Sequence, residues 1–198
     1  MTNADRAVTK GVTILYNAPI IKTGSAQRAI HMSQSDSSSV KQPLPKPNFK
    51  DPIHWLAFGL GSGLAPKAPG TFGTLAALPI YWFLLKDLPP LAFMLVLLVS
   101  FVAGVYFCGK TARDLNVHDH GGIVWDEFVG MWLTLFLAPA GWVWMVIGFV
   151  LFRFFDIIKP WPIKWLDRHV HGGLGIMIDD VLAGVFAWLC LQGVVALV

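Results

Sequence analysis

The sequence predicts an all-α fold, a multi-pass membrane helical bundle of about four to six helices, some short or re-entrant, behind a disordered N-terminal tail. Three observations carry that prediction. Of 198 residues, 55% are hydrophobic and only 14% charged, with a mean hydropathy of +0.60, whereas soluble domains carry about 25% charged residues. From Thr71 onward the apolar runs show no period-two alternation and are too long for strands. Nine Trp and fourteen Phe supply the aromatic load of a protein with interfacial belts.

Residues 1–51 differ in kind. They run through the Ser-rich stretch Ser33–Ser39 into a Pro-rich one, a composition that cannot bury enough apolar surface to order itself, and are expected to be a basic, disordered tail. The patch Val12–Leu15 is too short for a secretory core. Met32, which opens the Ser-rich tract, is expected to serve as an alternative start. Residues 52–198 form the expected membrane-embedded domain. His54–Ala65 is short and Gly-rich, and Thr71–Leu85 ends before Lys86-Asp87. Pro90–Gly109 has full spanning length. Ile123–Ala138 and Trp142–Ile158 are joined by the tight Pro139-Ala140-Gly141 turn, and Gly175–Val198 closes the chain.

If those five runs each cross once, the tail, Lys67, Lys110, Arg113, Arg153, Lys159, Lys164 and Arg168 fall at one face and only Lys86 opposite. The positive-inside rule assigns that face to the cytoplasm. Asp114, Asp119, Asp126, Glu127, Asp156, Asp167, Asp179 and Asp180 share it, and Asp87 faces away. Acids and bases from separate segments thus converge on one membrane surface, as a site for a charged headgroup requires.

Asp179-Asp180 heads a run that stays apolar to Val198, about one turn from its expected start, where a helix N-terminus favours negative charge. Asp126-Glu127 mirrors that placement in the run Ile123–Ala138. Two acidic pairs with Asp156 offer the oxygen ligands that hard divalent cations prefer and share with phosphate. Taken singly, an acidic pair is more often a structural partner for Arg or Lys. Arg153, Asp156 and Lys159 are spaced i, i+3, i+6, which keeps them near one helix face, where Arg153 and Lys159 can grip phosphate and Asp156 can ligate a metal or orient the arginine, or the three simply form an interfacial ion pair. Phe58–Thr74 is a Gly/Pro loop in which Ser62, Lys67 and Thr71 are candidate phosphate contacts, Thr71 as a helix cap. It lacks the Walker spacing, and taken alone such a loop is more often a re-entrant turn than a phosphate site.

Other classes are disfavoured. The net charge of +3 is too small to argue for nucleic acid. Cys108 and Cys190 lie in apolar runs and read as buried thiols. His118-Asp119-His120 and His169-Val170-His171 lack zinc-ligand spacing. Neither the Cys-x5-Arg nor the Asp-x-Asp phosphatase signature is present, and the Asp-Gly-x2-Ala-Arg core of lipid phosphotransferases is absent. A divalent-cation transporter using the same carboxylates is the alternative from another class, although the acids crowd one face, away from the midplane.

Three blocks, FGLGSGLAPKAPGTFGT (Phe58–Thr74), HDHGGIVWDEFVGMW (His118–Trp132) and FRFFDIIKPWPIKWLDRHVHGGLGIMIDD (Phe152–Asp180), closely resemble the bacterial phosphatidylglycerophosphatase A family. The resemblance covers roughly residues 52–198. It implies an all-α, Mg²⁺-dependent phosphatase of the bacterial inner membrane that converts phosphatidylglycerophosphate to phosphatidylglycerol and phosphate, completing phosphatidylglycerol synthesis. On that reading Asp126, Glu127, Asp156, Asp179 and Asp180 are the catalytic and metal-holding acids. Ser62, Lys67, Thr71, Arg153 and Lys159 bind the phosphate. The nucleophile is a carboxylate-activated water or an aspartate, Asp126 or Asp180. The partner is a membrane phospholipid, with no nucleic acid and no obligate protein partner, and the active site faces the cytoplasm.

Overall fold

Asp51-Pro52 opens the first described helix. The Asp51 carboxylate accepts the Ile53 amide at 2.9 Å, and Pro52 occupies a first-turn position whose missing N–H is no loss. The structure is a computed structural model that describes residues 46–117 and 120–198. Most of the expected tail, Met32, and His118-Asp119 lie outside the described residues. The described residues contain no strand. Their helices are α1 (Pro52–Ala57), a 3₁₀ segment (Gly59–Leu64), α2 (Pro69–Ile80, continued by a π segment Tyr81–Leu85), α3 (Pro90–Asp114), α4 (Trp125–Thr134), α5 (Trp142–Ile158), α6 (Ile163–His169) and α7 (Gly172–Leu197).

Several boundaries differ from the expectation. Residues 46–51 belong to the folded unit, because Phe49 packs on Trp55 and Phe58 with ring centroids 5.2 and 5.9 Å apart. The last helix begins at Gly172, so Asp179 and Asp180 sit two turns inside it. The helix dipole acts mainly within the first turn, so it is the surrounding side chains that must accommodate these acids. Helix α4 has only ten residues, about 15 Å of rise, half a bilayer core. It is too short to cross a bilayer core. Two helices, α3 and α7, are long and apolar enough to cross a membrane.

Side-chain exposure supports membrane association independently of length. One face of α3 presents Leu91, Leu95, Leu98, Val99 and Val102 outward, and α5 presents Trp142, Val146, Val150, Phe154 and Ile157. Soluble monomers rarely show contiguous apolar surface of that extent. Cys190 is also exposed, contrary to the buried thiol expected, while Cys108 is buried.

Helix α7 is the hub and packs against α3, α4, α5 and α6. Apart from Asp179, Asp180 and Gln192 it is apolar all round, as suits a helix packed against several neighbours. Its crossing with α4 is set by Gly130 and Gly184. A Cβ on Gly184 would lie 2.6 Å from the Gly130 carbonyl oxygen, so only small residues allow these backbones to approach. Across the same contact Thr134 Oγ1 donates to the Gly184 carbonyl at 3.4 Å, and it also bonds the Gly130 carbonyl one turn back on its own helix at 2.9 Å. One turn before each glycine stand Glu127 and Asp180. The crossing therefore sets the spacing of the acids.

Candidate active site

The elements that carry charge meet at one end of the bundle in a cleft of about 470 Å³. Its walls include Asp126 and Glu127 from the first turn of α4, Arg153 and Asp156 from α5, Lys159 just after α5, Asp167 from α6, and Asp179 and Asp180 from α7. All five acids singled out in the sequence line it, as do Arg153 and Lys159. Lys86, Asp87 and Pro139–Gly141 gather around a different pocket.

Two ion-pair networks order the cleft. Arg153 Nη1 bonds Glu127 Oε2, and reaches Asp156 Oδ2 at 2.8 Å, one turn along its own helix. Thr74 Oγ1 lies 2.5 Å from the same Glu127 oxygen and 3.4 Å from Arg153 Nη1. Lys159 forms the second network, with Asp179 at 2.5 Å and Asp167 at 2.9 Å. Lys159 adopts a left-handed conformation at the C-cap of α5, which turns its side chain back toward α7. Burial pushes its ammonium down, but the hydrogen bonds and charges of Asp179 and Asp167 outweigh that and hold it above the ordinary lysine range.

These cations do not balance the acids. Six carboxylates and two cationic side chains line the cleft. Asp180 is only 4% exposed and feels Asp126, Asp156, Glu127 and Asp179 as neighbouring charges. Asp179 Oδ1 is buried without a hydrogen-bond partner. A buried excess of negative charge is costly unless a cation is drawn in.

The candidate phosphate loop is placed differently. Ser62 Oγ donates to the Gly59 carbonyl at 2.8 Å, Lys67 is exposed, and Thr71 lies inside the first turn of α2, whose cap is Ala68. None of the three lines the cleft. The loop glycines admit the chain at residues 122–124: a Cβ on Gly63 would overlap the Gly122 carbonyl, and Val124 N–H donates to the Ala57 carbonyl at 2.9 Å. The loop is a packing surface, with Pro69 and Gly70 alone reaching the cleft wall.

The family model for phosphatidylglycerophosphatase A matches residues 55–195. The chain belongs to that family. It is 56% identical over 140 residues to the phosphatidylglycerophosphatase A of Escherichia coli K12, an alignment covering 70% of this chain and 81% of the relative. It is 49% identical over 146 residues to the phosphatidylglycerophosphatase A of Haemophilus influenzae, covering 73% of this chain and 90% of the relative. No solved structure gives a significant match.

A second acidic group in this family member has metal-ligand spacing: ligand atoms of Asp51, His54 and Asp114 all lie within 4.8 Å of one another. Lys110 Nζ, however, sits 2.7 Å from Asp51 and 2.5 Å from Asp114. The Asn48 amide donates to His54 Nδ1 at 3.0 Å, which leaves the proton on Nε2, facing Asp114 at 3.1 Å. The lysine and this proton occupy the positions a metal would need. The group pins α1 to the end of α3, and the Lys110 hydrogen bond holds the Asp51 carboxyl below its usual range.

Thr74 and Asp167 join the polar networks of the cleft although neither stood among the candidate residues of the sequence. Thr74 had a signal, since it falls one turn after Thr71 on the same helix and closer to the core. Asp167 had the charge parity that set it on the face of the other acids, but its reach into the cleft depends on the fold of the turn after Lys159.

Proposed function

We propose that this chain hydrolyses the terminal phosphomonoester of phosphatidylglycerophosphate, releasing phosphatidylglycerol and inorganic phosphate, with Mg²⁺ as cofactor. Residues 52–198 are the catalytic domain, a multi-pass unit of the bacterial inner membrane with its cleft open to the cytoplasm. The observation that carries the reading is the convergence of Asp126, Glu127, Asp156, Asp179 and Asp180 with Arg153 and Lys159 in one cleft of a family member. The two relatives are named for this activity. Neither is named for transport, and no observation favours the transporter alternative.

The residues fit a hard divalent cation. They are oxygen donors, they exceed the cations beside them, and one buried carboxylate oxygen of Asp179 has no hydrogen-bond partner. Asp126, Glu127, Asp156, Asp179 and Asp180 would hold Mg²⁺, which when bound polarises the phosphoryl group and offsets the charge that develops on it. The remaining work belongs to the chain. Arg153 fixes the carboxylates of Glu127 and Asp156. Lys159, at the junction of α5 and α6, presents a charge that stays positive across the physiological range and meets the incoming phosphate. A cleft carboxylate takes a proton from water as its oxygen bonds to phosphorus. The bond from phosphorus to the glycerol oxygen then breaks, and that oxygen leaves as a hydroxyl after taking a proton. Acyl chains remain in the bilayer beside the exposed faces of α3 and α5.

Phosphate release from phosphatidylglycerophosphate by purified protein, with and without Mg²⁺, tests the reading. Absence of metal-dependent release, together with an Asp180→Asn variant indistinguishable from wild type, would overturn it.

A further inference from the structure

Helix α6 is divided by face. Ile163 is fully buried and Asp167, one turn on, lines the cleft. The opposite side carries Lys164 and Arg168, spaced i, i+4 and both exposed, beside Trp165 and His169. Trp165 is half-exposed and stacks on His169 with ring centroids 4.5 Å apart, and Trp161, in the preceding turn, is 82% exposed. Structural needs leave these residues unexplained. None of the ion pairs among the described residues involves Lys164 or Arg168, and the cleft does not include them. Two indoles on a soluble surface would be a liability.

The surface has a context that identifies its occupant. The outward apolar stripe of α5, ending in Phe154, Ile157 and Ile158, runs directly into Trp161 and Trp165. Trp at the end of a lipid-facing stripe marks the headgroup level. Basic side chains at that level meet lipid phosphates, and each is worth roughly fivefold in attraction to an anionic surface.

We propose that the outer face of α6 is a docking surface for anionic phospholipid, separate from the catalytic cleft. Lys164 and Arg168 bind the phosphates of neighbouring anionic lipids, and Trp161 and Trp165 fix the depth of α6 in the headgroup layer. The proposal draws on the phosphatase reading only for the identity of the substrate, and lipid preference is measured without turnover.

The test uses full-length protein reconstituted in phosphatidylcholine vesicles containing brominated phosphatidylglycerol or brominated phosphatidylcholine, with tryptophan quenching as the readout. Wild type should favour the brominated phosphatidylglycerol, and Lys164→Gln with Arg168→Gln should lower that preference roughly tenfold or more, with kcat at saturating substrate unchanged. An unchanged preference in the double variant overturns the proposal. If preference and kcat fall together, Lys164→Arg with Arg168→Lys decides: retained preference supports charge recognition, and lost preference overturns it. Absence of turnover in wild type, with lipid preference intact, would count against the phosphatase reading and leave this one standing.

Discussion

Lys159 and Asp179 meet at 2.5 Å although twenty residues separate them in sequence. The left-handed turn at Lys159 and the short α6 return the chain so that the end of one helix faces the interior of the next. That contact closes the cleft on one side, as Arg153 with Glu127 closes it on the other. Removing the ammonium should therefore do more than weaken substrate binding. Lys159→Met is expected to destabilise the protein by about 1.5–3 kcal/mol, the range for hydrogen bonds to charged groups, measured by thermal unfolding in detergent, and to raise KM.

The pH dependence of that contribution has a definite sign. Lys159 is held above the ordinary lysine range. Its stabilisation is thus complete below the unfolded value, about 10.4, and is lost only as pH rises through the raised folded value. Stability of wild type relative to Lys159→Met should be flat from about pH 6 to pH 9 and shrink only in stronger alkali. A difference that changes through neutrality would contradict the assignment.

Asp180 and Lys67 make a contrasting pair. Asp180 is buried among other carboxylates, and Lys67 is exposed away from the cleft. Asp180→Asn is expected to lower kcat by about 10²–10³, the usual cost of removing one transition-state electrostatic contact, while Lys67→Ala stays within about twofold of wild type, well under 1 kcal/mol. Initial rates of phosphate release at saturating lipid and metal measure both.

Thr74 is fully buried and bonds Glu127 and the Gly70 carbonyl. Thr74→Val leaves that carboxylate with one partner fewer and should cost about tenfold in kcat, or about 1.4 kcal/mol. Thr74→Ser, which keeps the hydroxyl, should restore most of it. Equal losses in both variants would make the role of Thr74 one of packing.

The Gly130–Gly184 crossing predicts a structural phenotype. Gly184→Ala places a methyl against the Gly130 carbonyl and should destabilise by about 1–3 kcal/mol, as overpacked cores do. Activity should fall further than stability alone accounts for, because Glu127 and Asp180 are carried one turn away on the two helices.

Much of this was legible in residues. Unbroken apolar runs announced the helices, and the one-sided distribution of Asp126, Glu127, Asp156, Asp179 and Asp180 announced that they converge. Charge parity alone cannot show how they pair. That Arg153 takes Glu127 as well as Asp156, and that Lys159 reaches forward to Asp179, depends on helix crossings set by glycine contacts that no spacing rule encodes. The Gly-rich loop misled for a related reason: glycine permits close approach by any backbone, and here the approaching chain is residues 122–124. The helix start at Gly172 was hidden because Gly172 and Gly173 resemble the end of a turn.

The central claim is that the carboxylate-rich cleft performs metal-dependent phosphomonoester hydrolysis on a lipid. The most direct measurement is phosphate release from phosphatidylglycerophosphate by the purified full-length chain, in Mg²⁺ and after chelation, for wild type and Asp180→Asn. Wild type should release phosphate in Mg²⁺, lose that release on chelation and recover it on re-addition, and the variant should release phosphate at least about 100-fold more slowly. Release that is indifferent to chelation, or equal in wild type and Asp180→Asn, would contradict it.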